Sequence, residues 1–182
     1  MFTRRASVAT LAILAALMLS VISEISGIAR ADQTITGTRV TGGGQFTELF
    51  YGFGLTTVTV HAVRHKDGTV TGQVEQQMPD IGVSLHGEVN CLHVVGNRAY
   101  VSGVITKIQK SPDSGYGSLF SNLEGTSFIL AVEDNGEGRN AYPDQVSQIG
   151  IRFSPFDCAD PSAQAEASSS MWLDRGNFQV VP

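Results

Sequence analysis

Apolar and polar residues alternate with a period of two along most of the chain. The alternation is clearest over residues 70–75 and 83–91, and it is typical of strands with one buried face. In the second run Cys91 has the same parity as Leu85 and Val89, so we expect its side chain to point into the core. The pattern predicts eight strands, over residues 33–39, 53–63, 70–75, 83–91, 98–108, 127–133, 146–153 and 177–181.

One predicted strand changes parity within its length. It begins with Phe53 and Leu55 on one face and continues with Val58 on the other. An extra residue in a strand moves the following side chains to the opposite face. We therefore expect a β-bulge near Thr56 and Thr57.

The segments between the predicted strands are short and have turn composition. Residues 66–68, 78–82 and 96–97 are rich in glycine, proline, aspartate and asparagine, which favour tight turns. Consecutive hairpins form an antiparallel sheet, whose open edges are removed most simply by closure or by folding into two layers. We expect an all-β fold: a single antiparallel domain of about eight strands, a closed barrel or a two-sheet sandwich, with very little helix.

The N-terminal segment has the composition of a secretory signal peptide. Two arginines precede an uncharged apolar run, residues 8–22, which is short for a hydrocarbon core of about 30 Å. The A-x-A pattern at residues 29–31 predicts cleavage before Asp32. The expected organisation is a signal peptide over residues 1–31 and a single secreted β domain over residues 32–182. The mature chain is expected to be extracellular or periplasmic, without a membrane anchor.

The charge of the chain limits its partners. The sequence has 12 Lys and Arg against 17 Asp and Glu, a formal charge of −5. The predicted cleavage removes three arginines and one glutamate, so the mature chain is more acidic still. Acidic proteins repel phosphate backbones, so nucleic acid is not an expected partner. The sequence identifies no other partner, and we expect a monomer.

The chain has two cysteines, Cys91 and Cys158. In an oxidising compartment an isolated pair forms a disulfide, and we predict that bond here. The alternative is two buried free thiols. A two-cysteine metal site would need further ligands, and no C-x-x-C or H-x-x-x-H spacing supplies them.

A strongly polar segment, residues 133–146, lies between two apolar runs. Its oxygen-bearing side chains are those that calcium prefers, and the candidate ligands are Glu133, Asp134, Asn135, Glu137 and Asp144. The spacing does not match an EF-hand, because Gly136 and Gly138 occupy ligand positions. The favoured interpretation is a longer hairpin loop whose Asp and Asn side chains satisfy its own backbone. A calcium-binding loop is the alternative.

The sequence contains no recognisable catalytic constellation. His61 and His65 are four residues apart on a strand, about 13 Å along an extended chain, too far to share a metal. His86 and Glu88 share a face and allow an acid–base pair, but two solvated side chains fit as well. The G-x-S-x-G nucleophile motif is absent. We assign no catalytic residue and expect no organic cofactor.

A carrier of small ligands is a further possibility, because eight-stranded barrels can hold one small molecule. The early G-x-W motif of lipocalins is missing, and the one tryptophan is Trp172. Side chains that fill the interior would exclude a ligand. The candidates for filling it are Phe53, Phe128, Phe153, Phe156 and Phe178.

Several glycine-containing segments recur in a familiar order. They are Gly42-Gly43-Gly44, Tyr51-Gly52-Phe53-Gly54, residues 67–72, Leu85-His86-Gly87 with Cys91, residues 96–103, and residues 132–138 with Asp144. In this order they resemble a group of uncharacterised secreted bacterial β domains, found beside choice-of-anchor domains in surface proteins. The resemblance spans residues 42–153 and implies a β fold without implying an activity. We expect a secreted non-catalytic β domain that is structural or partner-binding. The alternatives are a small-ligand carrier in a β-barrel and a calcium-binding module through the loop 133–145.

Overall fold

A computed structural model describes residues 37–49, 51–138 and 140–182. The predicted signal peptide lies outside these residues. The elements are β1 (Arg39–Glu48), β2 (Gly54–Arg64), β3 (Val70–Met78), β4 (Val83–Val95), β5 (Arg98–Lys110), β6 (Ser127–Glu133), β7 (Gln145–Ser147), β8 (Gly150–Arg152), α1 (Pro161–Glu166), β9 (Ser170–Trp172) and β10 (Arg175–Val181). Within the described residues, no helix is long and apolar enough to cross a membrane.

The strands form one antiparallel sheet that curls into a half-barrel. Strands β1 to β6 follow one another as a meander, and the full order is β10-β1-β2-β3-β4-β5-β6-β7-β9, with β8 also paired to β6. The two edge strands, β9 and β10, are consecutive in the chain. At the corner between them the Leu173 N–H donates to the Asp144 carbonyl and the Asp174 N–H donates to the Gln45 carbonyl. The prediction of an all-β, antiparallel fold with very little helix is confirmed.

At two glycines in the curled sheet, the backbones of neighbouring strands approach each other closely. A Cβ atom at Gly72 would collide with the His61 carbonyl oxygen, and one at Gly103 would collide with that of Glu88. Only glycine leaves room for a neighbouring backbone at such positions. Two register shifts between β4 and β5, at His86/Gly87 and Val89/Cys91, add local bending.

The main core lies inside the curled sheet. Its largest fully buried side chains include Phe46, Phe128 and Phe178, from β1, β6 and β10. Gly87 on β4 makes room for the Phe128 ring, because a Cβ there would lie 2.5 Å from a ring carbon. The interior is therefore occupied by aromatic and aliphatic side chains.

A second, smaller cluster lies on the opposite face of the sheet and contains the disulfide. Cys91 and Cys158 are bonded, with their Cα atoms 5.9 Å apart, which confirms the predicted bridge. The cluster consists of Ile129, Ala131, Phe156, Cys158, Ala163 and Ala167, with Cys91 and Tyr100 packed against it. The bridge therefore attaches the segment that carries α1 to the outside of β4.

The prediction that Cys91 shares a face with Leu85 and Val89 is wrong. Val89 pairs with Gly103 and Cys91 pairs with Ser102, so β4 has one extra residue between them. Because side chains alternate between faces, this bulge turns Cys91 to the outside.

The bulge predicted near Thr56 and Thr57 is also not found. The register of β2 with β1 and β3 is regular there. Thr56 is fully buried on the inner face, and Leu55 lies on the outer face with partial exposure. Phe53 precedes the strand, so the apparent change of parity came from a loop residue.

Over the residues that the structure describes, the sheet has ten strands, where about eight were expected. Residues 146–153, predicted as one strand, are divided between β7 and β8. Ser170–Trp172 was not predicted because three residues show no periodicity. Three consecutive glycines within β1, Gly42-Gly43-Gly44, hide its alternation. Most of the predicted first strand, residues 33–39, lies outside the described residues.

Candidate functional site

The acidic loop, residues 133–145, uses its carboxylates mainly as hydrogen-bond acceptors. Asp144 is only 3% exposed; its Oδ1 accepts the Asn135 N–H at 2.8 Å and its Oδ2 accepts the Phe178 N–H at 2.6 Å. Asp134 Oδ1 accepts the Gly136 N–H at 2.8 Å, and Oδ2 accepts the Val180 N–H at 3.0 Å. The loop thus satisfies both its own backbone and that of β10.

The amides of Phe178 and Val180 belong to the edge of β10 that pairs with no other strand among the described residues. An unpaired strand edge invites association with other chains, and a buried N–H without an acceptor is costly. Two aspartates supply the acceptors that a further strand would have supplied. The acidic loop therefore caps this edge of the half-barrel.

The other predicted ligands are held by separate partners. Glu133 pairs with Arg98 at 3.3 Å, the Asn135 side-chain amide donates to the Pro143 carbonyl at 2.8 Å, and Glu137 accepts from the Asn177 side-chain amide at 2.8 Å. In the described part of the chain, no three His, Cys, Asp or Glu side chains are placed to hold a metal ion. Calcium binding by Glu133, Asp134, Asn135, Glu137 and Asp144 stays a prediction.

His86 and Glu88 lie in an open polar groove of about 560 Å³ on the outer face of β1 to β5. His86 pairs with Glu75, its direct cross-strand neighbour, with Nε2 and Oε1 3.9 Å apart. Sequence reasoning missed Glu75 because the register between β3 and β4 decides this pairing. The geometry of His86 and Glu75 fits a solvated pair of side chains as well as it fits an acid–base pair.

Large apolar side chains are exposed where β1 and β2 meet the loop that leads from β5 to β6. We call this surface the aromatic end and define it by Leu49, Tyr51, Phe53, Tyr116 and Leu119. Tyr51 stacks on Phe53 with ring centroids 5.5 Å apart, and Tyr116 meets Phe53 edge-on at 5.8 Å. Leu49 is 81% exposed, Tyr51 55% and Tyr116 37%.

Buried and partly buried groups hold the aromatic end in place. Glu48, 3% exposed, accepts the backbone N–H groups of Tyr51 and Phe53 and the side-chain amide of Gln148. The ring of Phe53 also contacts that of Phe120 at 5.7 Å. Phe120 belongs to a third apolar cluster, which lies beneath these loops together with Met78, Ile81, Val83 and Leu85. These hydrogen bonds and ring contacts hold the exposed aromatic rings in position.

Sequence reasoning did not identify this surface. In the sequence, Tyr51 belongs to a glycine-containing motif and Phe53 to the start of a predicted strand, so neither indicates a surface. The available signal was the segment LFYGFGL, residues 49–55, which has no charged residue although it joins two strands. Hairpin loops are ordinarily polar because they face water.

Among the described residues, the pKa values of two carboxyl groups are lowered, and both groups lie outside the aromatic end. The hydroxyl and then the backbone N–H of Thr69 lower the pKa of Asp67 in the turn between β2 and β3. The backbone N–H and then the hydroxyl of Ser162 lower the pKa of Asp160, which caps α1. These are turn and cap interactions of a common kind.

Comparison of the chain with protein-family models, with curated proteins and with solved structures gives no match.

Proposed function

We propose that this chain is a secreted, non-catalytic β domain that binds a protein partner through the aromatic end. The observation that supports it is the exposure of Leu49, Tyr51 and Tyr116, together with the hydrogen bonds that the buried Glu48 carboxylate accepts from the Tyr51 and Phe53 N–H groups. Tyrosine is enriched at the energetic centres of protein interfaces, and a surface fixed before binding loses little entropy on association. Contiguous exposed apolar surface on a domain commonly marks an interaction site.

The packed interior counts against the small-ligand carrier. Phe46, Phe128 and Phe178 occupy the space inside the curled sheet and are fully buried. A barrel that carries a ligand keeps that space open. The outside of the domain is the better place to look for binding.

Secretion is supported by two features. The apolar run at residues 8–22 has the length of a signal-peptide core, and the Cys91–Cys158 bond is of a kind that persists in oxidising compartments. The resemblance to secreted bacterial β domains of surface proteins agrees with a binding or structural role. On this proposal the domain is monomeric until it meets its partner.

Selection from a phage-displayed random peptide library on the immobilised, disulfide-bonded protein tests the proposal. We expect peptides whose affinity falls at least about tenfold, or roughly 1.4 kcal/mol, in the variant Tyr51→Ser/Tyr116→Ser. The matched control is Tyr142→Ser, which removes a 76% exposed tyrosine outside the aromatic end and should leave binding unchanged. Failure to enrich peptides, or equal binding to all three proteins, would overturn the proposal.

A further inference from the structure

We infer that the partner places a lysine or arginine side chain in an acidic cleft beside Tyr116, an inference that rests on the proposed function. The acidic cleft is lined by Pro79, Asp80, Gly82, Ser111, Asp113 and Tyr116, among others, and has a volume of about 280 Å³. Tyr116 belongs to both surfaces, so the cleft continues the aromatic end. One partner segment can therefore contact both.

The walls of the acidic cleft are fixed to each other. The Ser111 N–H donates to the Gly82 carbonyl at 2.7 Å, and the Ser114 hydroxyl donates to the Ile81 carbonyl at 2.6 Å. Gly82 has a φ of 65° and lies so close to Ser111 that an added Cβ would be 2.7 Å from the serine Cβ. These contacts join the turn after β3 to the loop after β5, so both walls of the cleft are connected directly to each other.

The charges around the cleft favour a cation. Asp80 and Asp113 are both exposed, and the ion pairs among the described residues do not include either carboxylate. Lys110, at the end of β5, directs its ammonium group to the Gly117 carbonyl and the Ser121 hydroxyl, at 3.1 and 3.3 Å. The full chain has a formal charge of −5 and the secreted domain is more acidic still, so a basic partner is drawn toward the whole domain.

The chemistry of the cleft suits a guanidinium or ammonium group on an otherwise apolar segment. A cation over a tyrosine ring gains from the ring quadrupole, and nearby carboxylates accept its N–H groups. One Asp80 oxygen already accepts the Leu55 N–H at 2.8 Å, which holds that carboxylate in position. The apolar neighbours of the basic residue would then lie against Tyr51 and Leu49.

The same peptide selection, repeated on Asp80→Asn/Asp113→Asn, tests the inference. Asparagine keeps the side-chain size and one acceptor oxygen, so Leu55 retains its partner. We expect peptides selected on the unaltered protein to be enriched in Lys or Arg and to bind the double variant about three- to tenfold more weakly. Raising the salt concentration should weaken their binding to the unaltered protein and have little effect on the variant. The control Asp67→Asn removes a negative charge from the turn between β2 and β3 and should leave binding unchanged.

The outcomes separate this inference from the proposed function. Peptides that need Tyr51 and Tyr116 but carry no excess of Lys or Arg would overturn the inference and leave the proposed function standing. Absence of any peptide that needs those tyrosines would overturn both. Binding to neutral phosphatidylcholine vesicles that is lost in Leu49→Ser/Tyr51→Ser would likewise overturn both, because the aromatic end would then be a lipid contact.

Discussion

Two loops at opposite ends of the sheet each contain a nearly buried carboxylate. One loop exposes apolar side chains to solvent, and the other exposes polar side chains. In the loop between β1 and β2, Glu48 binds backbone N–H groups and the large apolar side chains point outward. In the acidic loop, Asp144 binds backbone N–H groups of its own loop and of β10. The side chains of the polar acidic loop stabilise the fold, whereas the apolar side chains of the loop between β1 and β2 are exposed to solvent. Composition alone would suggest the reverse assignment.

Loss of the disulfide should give the largest loss of stability. We expect the loosening to affect the region around α1 and β9 and to spare the aromatic end. The bond closes 67 residues of chain, and Cys91→Ser/Cys158→Ser should lower the free energy of unfolding by about 4 kcal/mol. Urea denaturation measures the loss. Hydrogen exchange should show faster opening of α1 and β9 than of the aromatic end. Equal loosening at both would show that the two regions are not independent.

Asp144→Ala should cost about 3 kcal/mol of stability, since it leaves the buried N–H group of Phe178 and the partly buried N–H group of Asn135 without an acceptor. Asp144→Asn keeps one acceptor oxygen and should lose less. Urea denaturation of both variants gives the comparison. If alanine were tolerated without loss, the acidic loop would not be needed to cap β10.

Glu48→Ala should cost about 2 kcal/mol, because its partners are backbone groups of one loop together with the Gln148 side chain. The loss of protection within this loop should exceed the loss of stability of the whole domain. Hydrogen exchange at the Tyr51 and Phe53 amides should accelerate well before the sheet unfolds, whereas Glu48→Gln should preserve part of their protection. Unchanged exchange at both amides in the alanine variant would show that the loop is held by its rings.

Leu49→Ser/Tyr51→Ser should change stability by no more than about 0.5 kcal/mol, since both side chains are mostly exposed. The control is Phe46→Ala, three residues earlier and buried in the core, which should cost about 3–5 kcal/mol. Thermal and urea unfolding measure both. A large loss in the surface variant would make the aromatic end part of the core.

Calcium should give no effect at all. We expect the same melting temperature in millimolar calcium and in chelator, because the carboxylates of the acidic loop already bind separate partners. Differential scanning fluorimetry is sufficient. A rise of several degrees that Asp134→Ala removes would instead establish the loop as a calcium site.

Periodicity predicted most of the sheet, because half-buried strands such as β3 and β4 show it directly. The prediction from periodicity failed where one extra residue changes the register. The amino-acid sequence around Cys91 does not reveal the bulge that turns its side chain outward. The candidate site could not be predicted for a related reason. Whether Tyr51 or Asp144 is buried depends on which distant strand passes over it, and those contacts join residues far apart in the chain.

The pairing of β1 with β10 also fixes how the domain is presented when it is tethered. Arg39 lies opposite Val181, so the chain enters and leaves the sheet at the same end. The aromatic end follows the other end of β1, about 30 Å away at the usual rise per residue. A solid support attached beyond Val181 would therefore leave the aromatic end pointing away from it. Mechanical load applied through Arg39 and Val181 would peel β10 from β1 one residue pair at a time, without shearing the ladder as a whole.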